Sequence, residues 1–174
     1  SIDIHCGGQD LIFPHHENEV AQSECCNGVP FARYWMHNGY INVDNQKMSK
    51  SLNNFFTVRE IAEKYGYMPI RHFLLSSHYR SPINFSKDII EQSAAALERI
   101  FNCADALDFY LAHAEGNETA ADDEARIAEF EACRTAMIEA MDDDLNTGNG
   151  IACIYDLIRK LNQTFIHKFS ETFR

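Results

Sequence analysis

Two short stretches of the sequence hold side chains that can do chemistry, and the first is FPHHENEVAQS at residues 13–23. It places two histidines and two glutamates within five residues. On a helix that begins at Pro14, His15 and Glu19 lie four residues apart and share a face, whereas His16 points elsewhere. A histidine nitrogen and a carboxylate oxygen on adjacent turns can both bind one zinc ion at roughly 2 Å. The pattern is also typical of an exposed polar helix face, and two ligands do not complete a zinc site.

The second stretch is KMSKS at residues 47–51, which offers two lysines, two serines and the amides of a loop. Lys47 and Lys50 can hold a polyphosphate and neutralise charge that develops on it as a bond to phosphorus breaks. The alternative is a solvated basic loop. The position of the stretch, between a predicted strand and a capped helix, favours the functional interpretation.

The GGQD segment at residues 7–10 is a third candidate. Gly7 and Gly8 follow the predicted strand IDIH, and we expect a turn in which they adopt backbone angles that other residues avoid. Glycines at the end of a strand let a ligand approach the backbone, and Asp10 could accept a hydrogen bond from a ribose hydroxyl. Most such patterns are turns without a ligand.

Other conspicuous side chains are expected to be structural. Trp35, with Tyr34, is interpreted as a core or interface residue, and Asp142–Asp144 as the acidic end of a helix. Three histidines are also expected to be structural rather than catalytic, namely His37, His72 and His78.

The elements that must position these residues form two parts, and the first, residues 1–85, mixes strands and helices. The helix that begins at Pro14 should end near Gly28, because glycine favours a helix end. Alternating apolar and polar side chains predict a half-buried strand at residues 41–44. Two further helices are predicted from a capping box at Thr57 and Glu60, a stop at Gly66 and a start at Pro69.

The second part, residues 86–174, is predicted to be an all-α helical bundle. Apolar residues recur at spacings of three or four along three stretches, and each apolar stripe needs a partner. The three stripes run from Ile90 to Leu111, from Ile127 to Met141 and from Ile151 to Phe165, with a polar connection at 116–125 and a turn at 146–150. We therefore expect an α/β part followed by helices, and a mostly helical chain.

Composition and charge limit the function classes. The chain has 174 residues, 45% of them apolar, and no run approaches the roughly 20 residues that span a bilayer. It opens on polar residues and without methionine, from which we expect a fragment with no signal peptide. Its six cysteines form no CxxC pair, which is typical of reduced thiols in a cytoplasmic protein.

The formal net charge of −11 is unevenly distributed. Residues 1–100 hold 11 acids and 9 bases, a balance of −2, whereas residues 101–174 hold 15 acids and 6 bases, a balance of −9. The acidic second part argues against a broad nucleic-acid surface there.

Taken in order, three stretches resemble the cysteinyl-tRNA synthetases: DIHCGGQDLIFPHHENEVAQS, YWMHNGYINVDNQKMSKSLNN and RHFLLSSHYRSPINFS. AMDDDLNT at residues 140–147, with the helix after it, resembles the DALR-type helical domain of that family. KMSKS alone would indicate only a class I synthetase, and the combination is far more specific. The resemblance implies a partial Rossmann-like catalytic domain at residues 1–85 and a DALR-type domain at residues 86–174.

The resemblance also implies a zinc site. The family activates cysteine with ATP, forms cysteinyl-adenylate and esterifies tRNA(Cys), and its zinc ion binds the substrate thiolate. A soft metal prefers sulfur to a hydroxyl, which explains the rejection of serine. His15 and Glu19 correspond to two of the four zinc ligands, and His5 would lie near the substrate.

The ATP site is implied in the same way. Lys50 would meet ATP, with Mg²⁺ accompanying the nucleotide, and Lys47 would support it. Gly8 and Asp10 would contact the adenosine.

The chain departs from the family pattern in several places. The HIGH motif and the two cysteine zinc ligands of the family would precede residue 1, so the isolated chain is expected to be inactive and a poor zinc binder. Cys6 replaces a glycine of the H-G-G-G run, and Asn53 replaces the glycine of KMSKS-L-G-N. The second change is mild, because asparagine tolerates left-handed backbone angles.

Two alternatives remain open at this point. One is the related cysteine ligase of mycothiol synthesis, which joins activated cysteine to an amino-sugar. The other is a non-catalytic module that binds RNA or a protein through its helical part. The sequence makes no prediction about oligomeric state.

Overall fold

The computed structural model describes residues 1–48, 56–113 and 122–164, and it divides the chain into two compact units. The first unit comprises Ser1–Phe56 together with His78–Ser86. The second comprises Thr57–Ser77 together with the chain from Lys87 onward. The two helices predicted after Thr57 therefore belong to the same compact unit as the long helices that follow.

The first unit is built on a β–α–β segment. Strands β1 and β2 pair in parallel, from Ile2 opposite Ala32 to Gly8 opposite Asn38, and a helix connects them. Its elements are β1 (Ile2–Gly8), helical turns at Gln9–Leu11 and Ile12–His16, α1 (Glu17–Asn27) and β2 (Ala32–Asn38). The predicted end of α1 is confirmed, since Gly28 has φ of 69° and its N–H donates to the carbonyl of Glu24.

A second small sheet has the strand order β4-β3-β5, made of β3 (Ile41–Val43), β4 (Gln46–Lys47) and β5 (Ile83–Phe85). β3 and β4 are antiparallel and joined by Asp44 and Asn45, whose φ values are 49° and 62°. Positive φ at both residues of a two-residue loop is the geometry that matches the twist of a hairpin. The hairpin sets Lys47, the first residue of KMSKS, opposite Asn42.

Two features of this unit differ from the sequence predictions. Gly7 and Gly8 belong to β1 instead of a turn, and neither has positive φ. Gly7 is needed for space, because a Cβ there would lie 2.6 Å from Cε1 of His16. Strand β2 was not predicted, since ARYWMHN lacks a clean alternation of apolar and polar residues.

The second unit is helical, and it includes the two helices after Thr57 that were predicted within residues 1–85. Its elements are α2 (Val58–Tyr65), α3 (Tyr67–Leu75), α4 (Lys87–His113), α5 (Asp123–Asp142) and α6 (Thr147–Thr164). The capping box is confirmed: the Thr57 hydroxyl accepts from the Glu60 N–H at 3.2 Å, and the Glu60 carboxylate accepts from the Thr57 N–H at 2.6 Å. Gly66, with φ of 79°, separates α2 from α3.

The core of this unit lies where α3 packs on α4 and α5 packs on α6. Ile90 is completely buried, and Ile70, Phe73 and Ile158 are nearly so. Helix α6 begins at Thr147, earlier than predicted, because the side-chain oxygen of Asn146 accepts the N–H of Asn149 at 3.1 Å and caps the helix. Within the described ranges, no helix is long and apolar enough to cross a membrane.

Candidate active site in the first unit

The histidines and the glutamate of the opening stretch meet beside β1 and β2. β1 contributes His5, the turn before α1 contributes His15 and His16, and the first turn of α1 contributes Glu19. The carboxyl ends of parallel strands are where α/β folds bind ligands. The cluster therefore lies next to a place where a substrate can be held.

Glu19 is the centre of this cluster. Its Oε2 lies 2.7 Å from Nε2 of His5, and its Oε1 lies 3.2 Å from Nε2 of His15. The hydrogen bond from His5 is the largest cause that lowers the pKa of Glu19, and nearby His15 acts in the same direction. The carboxylate is therefore ionised at neutral pH and presents one oxygen to each histidine.

His16 turns into the protein. It is only 4% exposed, and its Nδ1 lies 2.8 Å from Nε2 of His37 on β2. Burial lowers the pKa of His16, and the neighbouring His5 and His37 lower it further. His16 is therefore neutral at neutral pH and shares one hydrogen bond with His37.

The prediction that His16 points away from Glu19 is wrong. Among the described residues, His5, His16 and Glu19 place metal-binding atoms within 4.8 Å of one another. The reason is local geometry: Phe13 has extended angles (φ −132°, ψ 132°), and residues 12–16 form a wider turn than an α-helix. The angular spacing of an α-helix therefore does not apply before Glu17.

Trp35 forms an aromatic wall of the cluster. Its ring lies 4.8 Å from that of His5 and 5.2 Å from that of His16, and it stacks on His37 at 5.8 Å with an angle of 13°. Sequence reasoning assigned Trp35 and His37 to structural roles. Both residues lie on β2, which the sequence pattern did not predict. Their approach to the histidines could therefore not be predicted either.

The donor set of the cluster fits a zinc ion. Ligands of a tetrahedral zinc ion at roughly 2.0–2.1 Å from the metal are about 3.3 Å apart. The His15–Glu19 separation of 3.2 Å matches that value, whereas the His5–Glu19 distance of 2.7 Å is a hydrogen bond. Glu19 can thus bind a metal through Oε1 while His5 holds its other oxygen. A second combination, His5, His16 and Glu19, would share the same carboxylate.

Of the remaining predicted residues that the structure describes, Gly8 and Lys47 end strands and Asp10 lies in the turn after β1. Gly8 is the last residue of β1, and a Cβ there would lie 2.4 Å from Oδ1 of Asp10, so the carboxylate folds back over this glycine. Gln9, the residue after Gly8, donates to the carbonyl of Arg80 at 2.8 Å. Lys47 ends β4, and Lys50 lies outside the described residues.

Comparison with known proteins identifies the class. Residues 1–95 match the family model described as tRNA synthetases class I (C) catalytic domain, and residues 136–166 match the DALR domain. The first model covers more than half of the chain. The fold is that of a class I tRNA synthetase: a methionyl-tRNA synthetase from Mycobacterium tuberculosis aligns with a TM-score of 0.73 at 21% identity, over 94% of this chain and 34% of that one. LeuRS from Agrobacterium radiobacter, in a ternary complex with tRNA and LeuAMS, aligns with a TM-score of 0.72 at 19% identity, over 93% of this chain and 23% of that one.

The chain belongs to the family of class I (C) tRNA synthetase catalytic domains. It is 52% identical to a Cysteine--tRNA ligase from Caldicellulosiruptor saccharolyticus, over 93% of this chain and 34% of that protein. It is 53% identical to one from Lachnoclostridium phytofermentans, over 95% of this chain and 36% of that protein. The predicted resemblance and fold class are thereby confirmed. The chain spans about a third of the length of the curated relatives it matches.

Proposed function

We propose that the chain is part of a cysteine–tRNA ligase, which activates cysteine with ATP to cysteinyl-adenylate and transfers it to tRNA(Cys). The observation that carries this proposal is the position of Glu19, whose two oxygens face His15 and His5 beside the ends of parallel strands. Identities of 52% and 53% to curated cysteine–tRNA ligases support it. In this proposal residues 1–85 belong to the catalytic domain and residues 86–174 to the helical domain, in a cytoplasmic protein.

His15 and Glu19 would hold a zinc ion, and His5 would position Glu19. When bound, zinc supplies a soft Lewis acid that binds a thiolate in preference to a hydroxyl. The hydrogen bond from His5 to Oε2 leaves Oε1 directed toward His15. His15 and Glu19 are therefore oriented toward each other as two ligands without a bound metal. His16, held neutral by burial and hydrogen-bonded to His37, packs against Trp35 beside these ligands.

Gly8, Asp10 and the lysines of KMSKS would bind ATP with its Mg²⁺. Gly8 ends β1, and the Asp10 carboxylate that folds back over this glycine can accept a hydrogen bond from ribose. The hairpin ends at Lys47, which is the last residue of β4 and the first residue of KMSKS. Lys47 and Lys50 would neutralise charge on the phosphates as pyrophosphate leaves.

Pyrophosphate exchange across a panel of amino acids tests this proposal, on the chain extended to the full length of its curated relatives. We expect exchange with cysteine and not with serine. Exchange with cysteine but no charging of tRNA would instead favour the amino-sugar ligase. A folded, zinc-loaded protein that exchanges with no amino acid would contradict the catalytic proposal and favour a binding module.

The ligand assignment has a separate test. In the extended protein, His15→Ala should lower zinc content measured by atomic emission, because one of the ligands is removed. His113→Ala, on the exposed end of α4, is the matched control and should leave zinc content unchanged. Full zinc content in the His15 variant would remove this residue from the ligand set.

A further inference from the structure

A groove between α5 and α6 in the second unit brings two cysteines, a carboxylate and a lysine together, away from the site already described. Its cavity has a volume of about 340 Å³. That size is within the range of sites for small molecules. Cys133, Cys153, Asp156 and Lys160 line it together with three alanines.

Cys133 lies between a hydrogen-bond acceptor and a cation. Its Sγ donates to Oδ2 of Asp156 at 3.4 Å and accepts from Nζ of Lys160 at 3.4 Å. Lys160 also lies 3.3 Å from Oδ2 of Asp156, and Arg159 pairs with the other carboxylate oxygen. Cys133 is 7% exposed, but it borders the groove. The Lys160 ammonium is a cation in direct contact with this sulfur, and a neighbouring lysine is one of the features that make a cysteine nucleophilic.

The protonation states of its neighbours support this setting. The hydrogen bond to Cys133, followed by that to Asp156, raises the pKa of Lys160, so the ammonium persists. Hydrogen bonds from Arg159 first, then from Cys133 and Lys160, lower the pKa of Asp156 to about 2. Asp156 therefore stays ionised and accepts the hydrogen bond that orients the thiol, and the thiol proton passes to water during the exchange.

We propose that Cys133 is a modification site that forms a mixed disulfide with a small disulfide carrying a carboxylate. Lys160 offers three N–H donors, of which Asp156 and Cys133 use two, so the third can bind the carboxylate of the incoming molecule. The alanine side chains leave room beside the sulfur.

The thiol–disulfide exchange needs no further oxidant or reductant. The Cys133 thiolate attacks one sulfur of the small disulfide, a new sulfur–sulfur bond forms, and the old one breaks. The Cys133 sulfur is oxidised, the departing sulfur is reduced, and the departing thiolate takes a proton from water. A reducing thiol reverses the modification.

The chain contains a control thiol for this reaction. Cys103 in α4 is equally buried, at 6% exposure against 7% for Cys133. Burial raises the pKa of the Cys103 thiol. A reaction that only reports transient unfolding of this unit would therefore reach both thiols equally.

The test uses the 174-residue chain and two nearly isosteric reagents, anionic dithiodipropionate and cationic cystamine, with modification at each cysteine followed by peptide mass spectrometry. We expect dithiodipropionate to modify Cys133 at least about tenfold faster than Cys103, and faster than cystamine does. Lys160→Gln should abolish the preference for the anionic reagent. Lys87→Gln, which removes a lysine from a similar i, i+4 ion pair on α4, should leave it unchanged.

Three outcomes would overturn the proposal. One is equal modification rates at Cys133 and Cys103, which requires no variant to measure. Another is modification of Cys153 in place of Cys133. The third is an anionic preference that survives in a folded Lys160→Gln chain.

Discussion

At the scale of single residues, Gly7 and Glu19 determine how the histidines are arranged. Glu19 joins His5 and His15 through separate oxygens, at 2.7 Å and 3.2 Å. Gly7 leaves the space that the His16 ring fills, since a Cβ there would lie 2.6 Å from the ring. The contacts of Glu19 with His5 and of Gly7 with His16 join residues 14 and nine positions apart.

Gly7→Ala should destabilise the first unit and displace His16. The added methyl group has no room, and overpacking of this kind costs about 1–3 kcal/mol. We expect a lower midpoint of urea unfolding and a shifted NMR signal of the His16 ring. Gly28→Ala is the control: it strains a positive φ with no atom within 4 Å, so it should lower stability without moving that signal. An unchanged His16 signal in the Gly7 variant would contradict the role given to this glycine.

At the scale of elements, helix ends and helix contacts determine the stability of the second unit. The capping box of α2 satisfies backbone groups that a helix start leaves free. Where α3 meets α6, Nε2 of His72 lies 2.9 Å from the Tyr155 hydroxyl, while its buried Nδ1 has no hydrogen-bond partner. The guanidinium of Arg99 lies 5.3 Å from the centre of the Tyr155 ring.

Thr57→Ala should lower the free energy of unfolding by about 0.5–2 kcal/mol, because the Glu60 N–H loses its acceptor. The measurement is chemical denaturation followed by circular dichroism. Thr135→Ala, at an exposed position inside α5, should be neutral or slightly stabilising because alanine favours the helix. Equal effects of the two substitutions would rule out a specific contribution of the cap.

His72 should make the second unit sensitive to acid. Burial lowers the pKa of His72 below its usual value of 6.5, so the unfolded chain takes up the proton more readily. The contribution of neutral His72 to the free energy of unfolding is complete above pH 6.5. It is lost as the pH falls from 6.5 toward the pKa of His72 in the folded chain. We expect the melting temperature to fall between pH 7.5 and pH 5.5, and His72→Phe to reduce that fall. His113→Phe, at an exposed site, should retain it.

At the scale of the whole molecule, the chain is a third of the length of its curated relatives and carries a net charge of −11. In the proposed zinc site this cluster would supply some of the donors, and Glu19 is shared between two histidine combinations. Metal affinity depends on ligands and on the groups that orient them. The isolated chain should therefore bind zinc more weakly than the extended protein.

We expect the zinc dissociation constant of the 174-residue chain to be at least about tenfold higher than that of the extended protein, measured by competition with a chromogenic chelator. Glu19→Ala should remove the remaining affinity of the chain, and Glu63→Ala, on the polar face of α2, should not change it. Equal affinities of the short and extended proteins would show that the donors present here are sufficient.

The sequence by itself determined the helices, the capping box of α2, the end of α1 at Gly28, the α/β-then-helical order and the family. These features rest on interactions over three or four residues, as in the Thr57–Glu60 box, or on motifs that are contiguous in the chain. It also singled out His15 and Glu19, because a spacing of four is visible along one helix.

Only the tertiary structure decided the rest. Strand β2 brings Trp35 and His37 onto the cluster, and the hydrogen bonds His5–Glu19 and His16–His37 join residues 14 and 21 positions apart. Local patterns carry no information on such pairs, because strand pairing and close packing determine which distant side chains meet. For the same reason, the sequence did not predict that the Cys133 thiol, between α5 and α6, contacts a lysine 27 positions away.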